Sequence, residues 1–418
     1  MLVQFRFKNY KSFKDEVILD MRATKGTEYK SQLVNSGYES ILPAAAILGA
    51  NASGKSNLIY AFNFMSYWVL KSYSFNNENE FGGEPNHPYQ PFYFSVDSMT
   101  GASEFEVYFS VDSGEKSKVY NYGFMIDSDE ILEEWLNVKS YKNGSFKSVF
   151  FREKNMIDED SRLGDSTSFI KSNINNHVLV LSLTNILNVD VLRDVYDWFS
   201  QNMTLVLDPE RTAYEYKTVP YGFDTDIKLR KNVLRYLAAF DPSIQDFDVK
   251  TVKDERGKVR FEIKALHKVK GSEKLFPMPL EMESSGTQKM FVLYKYLEFV
   301  LRNGSVFMID ELDSRLHPLL VRLIVNVFVN SDTNPNHAQL VFTTHDSWQL
   351  ISEQLRRDEL WFTDKNDDQE SVLYSLTEFR DESGAKIRKD ESLQKNYMLG
   401  KYGAVPEVEP LDMLSSGE

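Results

Sequence analysis

The sequence feature that most constrains the fold is an eight-residue stretch, residues 49–56, which reads Gly-Ala-Asn-Ala-Ser-Gly-Lys-Ser. It fits the pattern GxxxxGK[ST], a loop whose backbone amides and lysine surround phosphate groups. The apolar run 44–48 precedes it, and apolar residues recur at helical spacing from Leu58 to Val69 after it. The pattern therefore predicts a buried strand, a phosphate loop and a helix whose free N–H groups face an anion.

Two residues of this loop carry the expected chemistry. The pattern assigns Lys55 to the β- and γ-phosphate oxygens of a nucleotide, and the Ser56 hydroxyl to Mg²⁺. The alternative is a glycine-rich surface turn, which needs neither the strand before the loop nor the helix after it. We therefore predict a nucleotide site. Its candidate binding residues are Gly49, Asn51, Ala52, Ser53, Gly54, Lys55 and Ser56.

Composition excludes several other classes of protein. The 418 residues, 42% of them apolar, are enough for two or three domains with a sizeable core. The chain has no cysteine, which excludes disulfide frameworks and cysteine-ligated metals and fits a reducing compartment. We find neither the pattern of a signal peptide nor an apolar stretch of membrane-spanning length. We therefore expect a soluble, cytoplasmic protein.

The charge is unevenly distributed along the chain. The formal net charge is −14, which argues against a chain covered in nucleic-acid-binding surface. Residues 250–274 nevertheless contain nine basic and four acidic side chains. This segment is either a solvated charged hairpin or a strip that contacts a nucleic-acid phosphate backbone, and the sequence leaves both interpretations open.

Most of the first 165 residues have strand patterns, with one polar loop expected over residues 76–91. Period-2 alternation and the turn signal Asn143-Gly144 indicate an antiparallel layer added to the nucleotide core. The expected strands lie at 5–7, 17–19, 105–111, 120–126, 135–141 and 146–151.

Beyond residue 165 the pattern becomes mainly helical, with helices expected at 178–187, 191–199 and 227–240 and a strand at 258–266. We expect a mainly helical subdomain inserted between two halves of one core. The expected division is 1–165 for the N-terminal half, 166–280 for the insertion and 281–418 for the C-terminal half.

Residues 283–289 predict a second helix start with affinity for anions. Ser285, Gly286 and Gln288 belong to a run of small and polar residues, and the free N–H groups of such a helix start bind phosphate. Helix caps of this kind are common, so the segment gains weight only from the motif that follows it.

That following motif is an apolar run, residues 306–309, which leads into Asp310 and Glu311. Such a pattern is typical of a buried strand that ends at a catalytic edge. Asp310 would hold Mg²⁺ through water, and Glu311 would orient and deprotonate the attacking water. The alternative is that the two acids only cap the next helix. His345 ends another buried strand, at the edge where open α/β sheets place ligand groups, and we expect it to sense the γ-phosphate.

This set of motifs resembles the ABC-type ATPases of the RecF and SMC group, and most of all the short bacterial AAA-type ATPases related to AbiL-type abortive-infection proteins. In this resemblance residues 49–56 are the Walker A motif, 285–288 the signature motif and 306–311 the Walker B motif. Asp313 falls on the D-loop and His345 on the switch histidine. Catalytic roles are therefore expected for Glu311, His345 and Lys55.

The resemblance extends to both ends of the chain and also has gaps. Residues 7–13, which include the candidate nucleotide-binding Lys11, and residues 397–406 are similar to further marks of the group. The signature motif departs from the usual LSGGQ, because Ser284 replaces the leucine and Thr287 the second glycine. The glutamine that helps to hold the metal is not clearly identifiable, and Gln90 is the candidate.

The resemblance implies an α/β fold: a P-loop ABC-type ATPase core, with a mixed sheet, flanking helices and an antiparallel β layer, and an inserted helical signature subdomain. It also implies ATP and Mg²⁺ as cofactors. The site is composite, so that the signature helix of one subunit closes over the nucleotide on the phosphate loop of the other. We therefore expect a homodimer that forms around ATP. Whether such dimers build into a higher oligomer stays open.

The leading functional hypothesis is an ATPase that serves as sensor or motor of a bacterial anti-phage system. Only 73 residues follow His345, and they show no acidic cluster of a metal-dependent nuclease, with residues 364–368 read as a solvated turn. We therefore expect a separate effector protein, a nuclease being the leading candidate, and no membrane partner. Two alternatives are a RecF-like clamp on DNA ends or gaps, through residues 250–274, and a nucleotide-gated scaffold with little turnover.

Overall fold

A computed structural model describes most of the chain. The described residues are 1–26, 28–35, 39–76, 89–111, 117–128, 130–139, 144–158, 163–187, 189–205, 223, 225–238, 240–253, 259–351, 354–380, 384, 387 and 391–406. The greater part of the expected polar loop 76–91 and the four residues around Asn143 lie outside this set, as do residues 254–258 of the basic segment.

The described strands are as follows. In chain order they are β1 (Leu2–Lys8), β2 (Val17–Asp20), β3 (Val34–Asn35), β4 (Ser40–Ile41), β5 (Ala44–Gly49), β6 (Ser103–Val111), β7 (Lys118–Asp127), β8 (Glu130–Lys139), β9 (Phe146–Glu153), β10 (Met156–Ile157), β11 (Met203–Leu205), β12 (Ile244–Lys253), β13 (Val259–Lys268), β14 (Leu275–Pro279), β15 (Val306–Ile309), β16 (Gln339–Thr343), β17 (Leu360–Lys365) and β18 (Ser371–Ser375).

The α-helices of the described part alternate with these strands. They are α1 (Lys55–Lys71), α2 (Val96–Met99), α3 (Ser166–Asn173), α4 (Asp190–Gln201), α5 (Ile227–Ala238), α6 (Ser285–Asn303), α7 (Pro318–Val329) and α8 (Leu393–Met398).

Two large sheets form the core. One is antiparallel in the order β10-β9-β8-β7-β6-β1-β2, which confirms the antiparallel layer expected from the alternating sequences. The other is mixed, in the order β11-β15-β16-β5-β17-β18. Within it β11, β15, β16, β5 and β17 run parallel, and β18 is antiparallel to β17. The carboxyl ends of the parallel strands therefore meet at one edge.

The phosphate-loop strand β5 is buried on both faces, as its continuous apolar sequence predicts. Ala45 and Ile47 pack into a core with α1, α4 and the antiparallel sheet, whereas Ala46 and Leu48 pack into a second core with α6 and α7. The first core is rich in aromatic side chains. Phe109 of β6 and Trp198 of α4 stack with ring centroids 4.1 Å apart.

One expected feature differs in the structure. Residues 178–187 do not form a long helix; a short 3-10 helix, Leu181–Asn185, is present instead. The reason is the buried carboxylate of Glu134, which accepts hydrogen bonds from the backbone N–H groups of Val180 and Leu181. These two N–H groups are therefore not available for the hydrogen bonds of a longer helix. The apolar residues of 178–187 other than Ile186 are buried without helical repetition.

The division that places an insertion at residues 166–280 stays a prediction, and the described elements of this region pair as follows. α4 packs on α1, and β11 pairs in parallel with β15, so residues up to 205 belong to the core sheets and their helices. The later part contains α5 and a separate three-stranded antiparallel sheet, β12-β13-β14. Among its described residues, that part contains more strand than helix, because the alternating residues of β12 and β13 pair over most of their length. Within the described residues, no helix is both long and apolar enough to cross a membrane.

Candidate functional site

The phosphate loop lies at the carboxyl end of β5 and is shaped by its own lysine. The ammonium of Lys55 donates hydrogen bonds to the carbonyl oxygens of Gly49, at 2.9 Å, and Ala50, at 2.8 Å. Burial lowers the pKa of Lys55, and the carboxylates of Asp310, Glu311 and Asp313 oppose that shift. The lysine is therefore held over the concave side of the loop by two weak acceptors that a phosphate group can replace.

The two glycines of the motif are required by the space around them. A Cβ on Gly49 would come within 2.5 Å of the carbonyl oxygen of Thr363. Gly54 has φ +113°, and a Cβ there would lie 2.6 Å from the hydroxyl of Ser371. Between them, the buried hydroxyl of Ser53 forms a 2.6 Å hydrogen bond with the hydroxyl of Thr363. The loop is thus packed directly on strands β17 and β18.

A chain of hydrogen bonds joins the phosphate loop to the expected catalytic acids. The hydroxyl of Ser56 donates to the carboxylate of Asp310 at 3.0 Å, and the hydroxyl of Thr343 donates to the same oxygen at 2.6 Å. The Thr343 hydroxyl also accepts the backbone N–H of Glu311 at 2.7 Å. Thr343 was not among the residues expected from the sequence. The two threonines before His345, at a strand end, are the signal that would have indicated it.

Glu311, Asp313 and His345 lie together at the same edge. Glu311 has φ +48°, a conformation that non-glycine residues rarely adopt and that turns its exposed side chain away from the strand direction. The backbone N–H of His345 donates to the carboxylate of Asp313 at 3.2 Å. The D-loop and the strand that carries the histidine are therefore tied together beside the acids.

These groups open into one cavity of about 560 Å³. It contains two lysines and the exposed histidine against a single carboxylate, so its lining has affinity for anions. The lining residues are Ser12, Asn51, Ala52, Gly54, Lys55, Ser56, Asn57, Glu311, His345 and Lys365. The structure thus brings the phosphate loop, the second acid of the Walker B segment and the histidine to one site.

The signature residues lie elsewhere on the same chain. Ser285 is exposed at the start of α6, and none of residues 284–288 is among those that line the cavity. The helix is capped by Ser284, whose hydroxyl accepts the N–H of Thr287 at 3.1 Å. Gln288 turns its amide back to the carbonyl oxygens of Leu280, Glu281 and Glu283. A Cβ on Gly286 would lie 3.1 Å from the carbonyl oxygen of Arg315, so the glycine lets the helix start approach the D-loop region.

A second residue at the site, after Thr343, was missed by sequence reasoning. Lys289 is 4% exposed, and its ammonium donates to the carbonyl oxygens of Glu311, Leu312 and Ser314, at 2.8, 3.1 and 2.9 Å. Burial lowers its pKa to about 8, although the carboxylates of Asp313 and Glu311 act in the opposite direction. Lys289 therefore connects the signature helix to the backbone that carries Glu311. A lysine one turn inside an amphipathic helix gives no sequence signal for this role.

The remaining two candidates lie beside the cavity rather than in it. Lys11 has its ammonium 4.0 Å from the ring centroid of Tyr60, a cation–π contact, and burial lowers its pKa. Gln90 accepts the backbone N–H of Lys11 through its own carbonyl oxygen at 2.8 Å. Neither is among the cavity-lining residues, whereas Ser12 next to Lys11 is.

Comparison with known families addresses the identity of this site. The model of a family described as "AAA domain, putative AbiEii toxin, Type IV TA system" matches residues 44–351, well over half of the chain. The chain belongs to this AAA-domain family. It is accordingly a nucleotide-binding protein of the ATPase class, and its fold is an α/β core with a phosphate loop at the end of a central parallel strand. The matched range includes every candidate site residue except Lys11.

Other comparisons add little to the family match. The crystal structure of an SmcHead bound to the C-winged helix domain of ScpA aligns with this AAA-domain chain at a TM-score of 0.48 and 16% identity, over 90% of this chain and 97% of that one. Comparison with curated proteins gives no match.

Proposed function

We propose that the protein binds and hydrolyses ATP, dimerises around it, and acts as the sensor or motor subunit of a bacterial anti-phage system of the AbiL-type class. The observation that carries the proposal is the continuous chain of hydrogen bonds from Ser56, the neighbour of Lys55, through Asp310 and Thr343 to the backbone N–H of Glu311. It joins a phosphate-binding loop to a carboxylate that opens into the same cavity.

The donor atoms at the end of the phosphate loop fit Mg²⁺. The Ser56 hydroxyl and an Asp310 carboxylate oxygen already lie 3.0 Å apart, and hard divalent cations prefer such oxygen ligands. Ser56 and Asp310 would hold the ion, the latter through water, and Gln90 stays a more distant candidate. When bound, Mg²⁺ neutralises part of the charge on the phosphate oxygens.

The protein's own groups then divide the work of hydrolysis. Lys55 and the N-terminal N–H groups of α1 stabilise negative charge on the phosphates. In this proposal Glu311 orients and deprotonates a water molecule, and His345, just after the neighbouring strand, contacts the γ-phosphate. Thr343 holds the backbone of Glu311 in its left-handed conformation. Asp313 restrains the backbone at His345.

The exposed signature helix supports the composite site. The N-terminus of α6, with Ser285, Gly286 and Gln288, is directed to nothing in the cavity of its own chain. A second copy that presented this helix start would supply free N–H groups to the γ-phosphate. ATP would then complete the contact between the subunits, and hydrolysis would open it.

The experiment is to measure ATP turnover and molecular mass on the same preparations. We expect Mg²⁺-dependent release of phosphate by the wild-type chain, and a shift from monomer to dimer in light scattering when ATP is added. In Glu311→Gln turnover falls by at least about 100-fold, since a general base contributes that much, and the ATP-bound dimer persists. A wild-type chain that neither hydrolyses ATP nor changes mass with ATP contradicts the proposal.

The role in defence requires a partner with toxic activity. We propose that the effector is a separate protein and that the ATPase controls it through the dimer. Cells that carry both proteins should resist phage, and Lys55→Ala should abolish that resistance. If the purified Glu311→Gln chain cuts nucleic acid in Mg²⁺ or Mn²⁺ without any partner, the separate effector is refuted.

A second candidate function is a DNA clamp, favoured by the exposed lysines of the three-stranded sheet. Lys250, Lys268, Lys270 and Lys274 are solvent-exposed on or beside β12, β13 and β14. We propose this sheet, with α5, as the inserted subdomain. Phosphate contacts would give an affinity for duplex DNA that falls steeply with salt concentration. Absence of DNA binding at low salt in the presence of ATP excludes this function.

A further inference from the structure

The end of strand β17 forms one wall of the nucleotide cavity. Lys365, its last residue, lines the cavity together with Lys55 and Ser56. Thr363, two residues earlier, pairs with Gly49 and bonds to Ser53 of the phosphate loop. Because residues two apart in a strand share a face, Lys365 continues the face that packs on the loop. The turn expected to be merely solvated thus begins with a half-buried lysine at the site.

The turn that follows Lys365 has a fixed shape. Glu370 accepts hydrogen bonds from Lys14, at 2.6 Å, and from the side-chain amide of Asn366, at 2.9 Å. The backbone N–H of Ser371 then donates to the carbonyl oxygen of Ser12 at 2.8 Å. The turn is therefore attached to the N-terminal segment, which contributes Ser12 to the same cavity.

A distant segment holds the other side of the same strand end. Asp364 accepts the backbone N–H groups of Ala404, at 3.0 Å, and of Lys365, at 2.9 Å. The hydroxyl of Tyr374 donates to the carbonyl oxygen of Tyr402 at 2.6 Å. Gly403 is enclosed between them: a Cβ there would lie 2.8 Å from Asp364 and 3.0 Å from Tyr374. The motif Tyr402–Gly403–Ala404 is thus fastened to β17 and β18 beside Lys365.

We propose that Lys365 donates a hydrogen bond to a phosphate oxygen of the bound nucleotide, and that the segment Tyr402–Ala404 positions it through Asp364. The chemistry fits a phosphate because an ammonium group is a compact point charge without the planar fork that reads a base edge. The second cation also gives the cavity the positive balance that a nucleotide triphosphate needs. This inference rests on nucleotide binding at the phosphate loop.

The direct test is the dissociation constant of ATP, measured by calorimetry on the full chain. We expect Lys365→Met to weaken ATP binding by about 10-fold, as the loss of a solvated charge-assisted hydrogen bond predicts, and Lys365→Arg to stay within about 3-fold of wild type. Lys147→Met, at an exposed position on β9, is the control and should leave binding unchanged.

The outcomes separate failure of the Lys365–phosphate contact from failure of nucleotide binding. If the wild type does not bind ATP, nucleotide binding itself fails. If the wild type binds ATP and Lys365→Met stays within about 2-fold of it, or if Lys365→Arg weakens binding as much as Lys365→Met, the contact is refuted while nucleotide binding stands.

The positioning role is tested by a double-mutant cycle. Tyr374→Phe removes the hydroxyl that holds Tyr402 and should weaken ATP binding by about 3-fold in the wild-type background. In the Lys365→Met background the same change should have no further effect, because the residue that it positions is gone. An equal loss in both backgrounds, or no loss in either, refutes the positioning role.

Discussion

The two helix starts that we propose to bind phosphate are built in opposite ways. The start of α1 is enclosed: Gly49 has no room for a Cβ, Ser53 is hydrogen-bonded to Thr363 of β17, and Ser56 is hydrogen-bonded to Asp310 just after β15. The start of α6 is presented outwards, with Ser285 exposed and Lys289 buried beneath it. In the proposed composite site the first is one half, already enclosed within the chain. The second is the half that a second chain would bring to the nucleotide.

This difference indicates which substitutions separate binding from assembly. Changes at α1 should remove the nucleotide and every property that depends on it. Changes at α6 should leave nucleotide affinity of the single chain intact and act on what happens between chains. The predictions below test that separation, from the largest expected effect to the smallest.

The largest effect is expected from Lys55→Ala. It removes the buried cation that two loop carbonyls hold in place, and loss of one partner of a desolvated charge contact costs about 2–5 kcal/mol. ATP affinity should therefore fall by about 100-fold or more, with dimerisation lost at the same ATP concentration. Calorimetry and light scattering measure the two. ATP-dependent association that survives this substitution would show that the composite site is not the one used.

Ser285→Asp tests the exposed helix start. A carboxylate stabilises the N-terminus of α6 in the single chain but repels a phosphate brought to it, an effect of up to about 2 kcal/mol. We expect turnover to fall by about 30-fold while the affinity of the monomer for ATP changes by less than about 2-fold. Ser285→Ala is the control, with a small loss. Equal loss of ATP affinity in the monomer would mean that the two helix starts act within one chain.

Mixing the two impaired variants, Lys55→Ala and Ser285→Asp, tests whether the two helix starts act between chains. A mixed dimer of Lys55→Ala and Ser285→Asp chains contains one site with an intact loop from one chain and an intact signature helix from the other. Part of the turnover should therefore return on mixing. No recovery at any mixing ratio, with mixed dimers detected by mass, would contradict the composite site.

Lys289 connects α6 to the backbone around Glu311, and its burial should make the stability of the protein depend on pH. Its folded pKa, about 8, lies below the ordinary value of 10.5, so the unfolded chain binds the proton more tightly. Its contribution is complete above pH 10.5 and is lost as the pH falls through about 8. Relative to Lys289→Met, the free energy of unfolding of the wild type should rise by about 2 kcal/mol between pH 7.5 and 9.5. Urea titrations at both values measure this; a constant difference contradicts it.

The smallest effect is expected from Thr343→Val. The substitution keeps the volume but removes the hydroxyl that bonds Asp310 and the backbone N–H of Glu311. We expect turnover to fall by about 10-fold with ATP affinity nearly unchanged, since the loss amounts to hydrogen bonds around a charged group. Steady-state kinetics at saturating ATP measure it. A large loss of ATP affinity instead would place Thr343 with the phosphate loop rather than with the acids.

Local patterns predicted the enclosed half well. The strand before the loop, the helix from Lys55 and the strands that lead to Asp310 and His345 follow from continuous apolar runs and a short motif, and the structure has them. Alternating residues likewise predicted the antiparallel layer. In each case the information lies within ten or so neighbouring residues, where periodicity is a direct consequence of which faces are buried.

What could not be predicted depends on residues far apart in the sequence. Lys289 and Thr343 acquire their roles only because α6 and β16 are brought beside Glu311. The apolar run 178–187 has helical spacing, yet the buried carboxylate of Glu134 on β8 accepts two backbone N–H groups that a long helix would use. Gln90, the candidate for the glutamine that helps to hold the metal, follows residues 77–88, which lie outside the described part. It is not among the residues that line the cavity.

The pairing of the phosphate-loop strand also has a consequence for how the protein is made. Ser53 and its partner Thr363 are 310 residues apart in the chain. At about 5–20 residues per second on the ribosome, roughly 15–60 s separate their synthesis. The hairpins of the antiparallel sheet can form meanwhile, but β5 has both edges open and two apolar faces exposed until β16 and β17 emerge. The motif that is translated early is thus completed late, and we expect chaperones to bind the nascent chain during this interval.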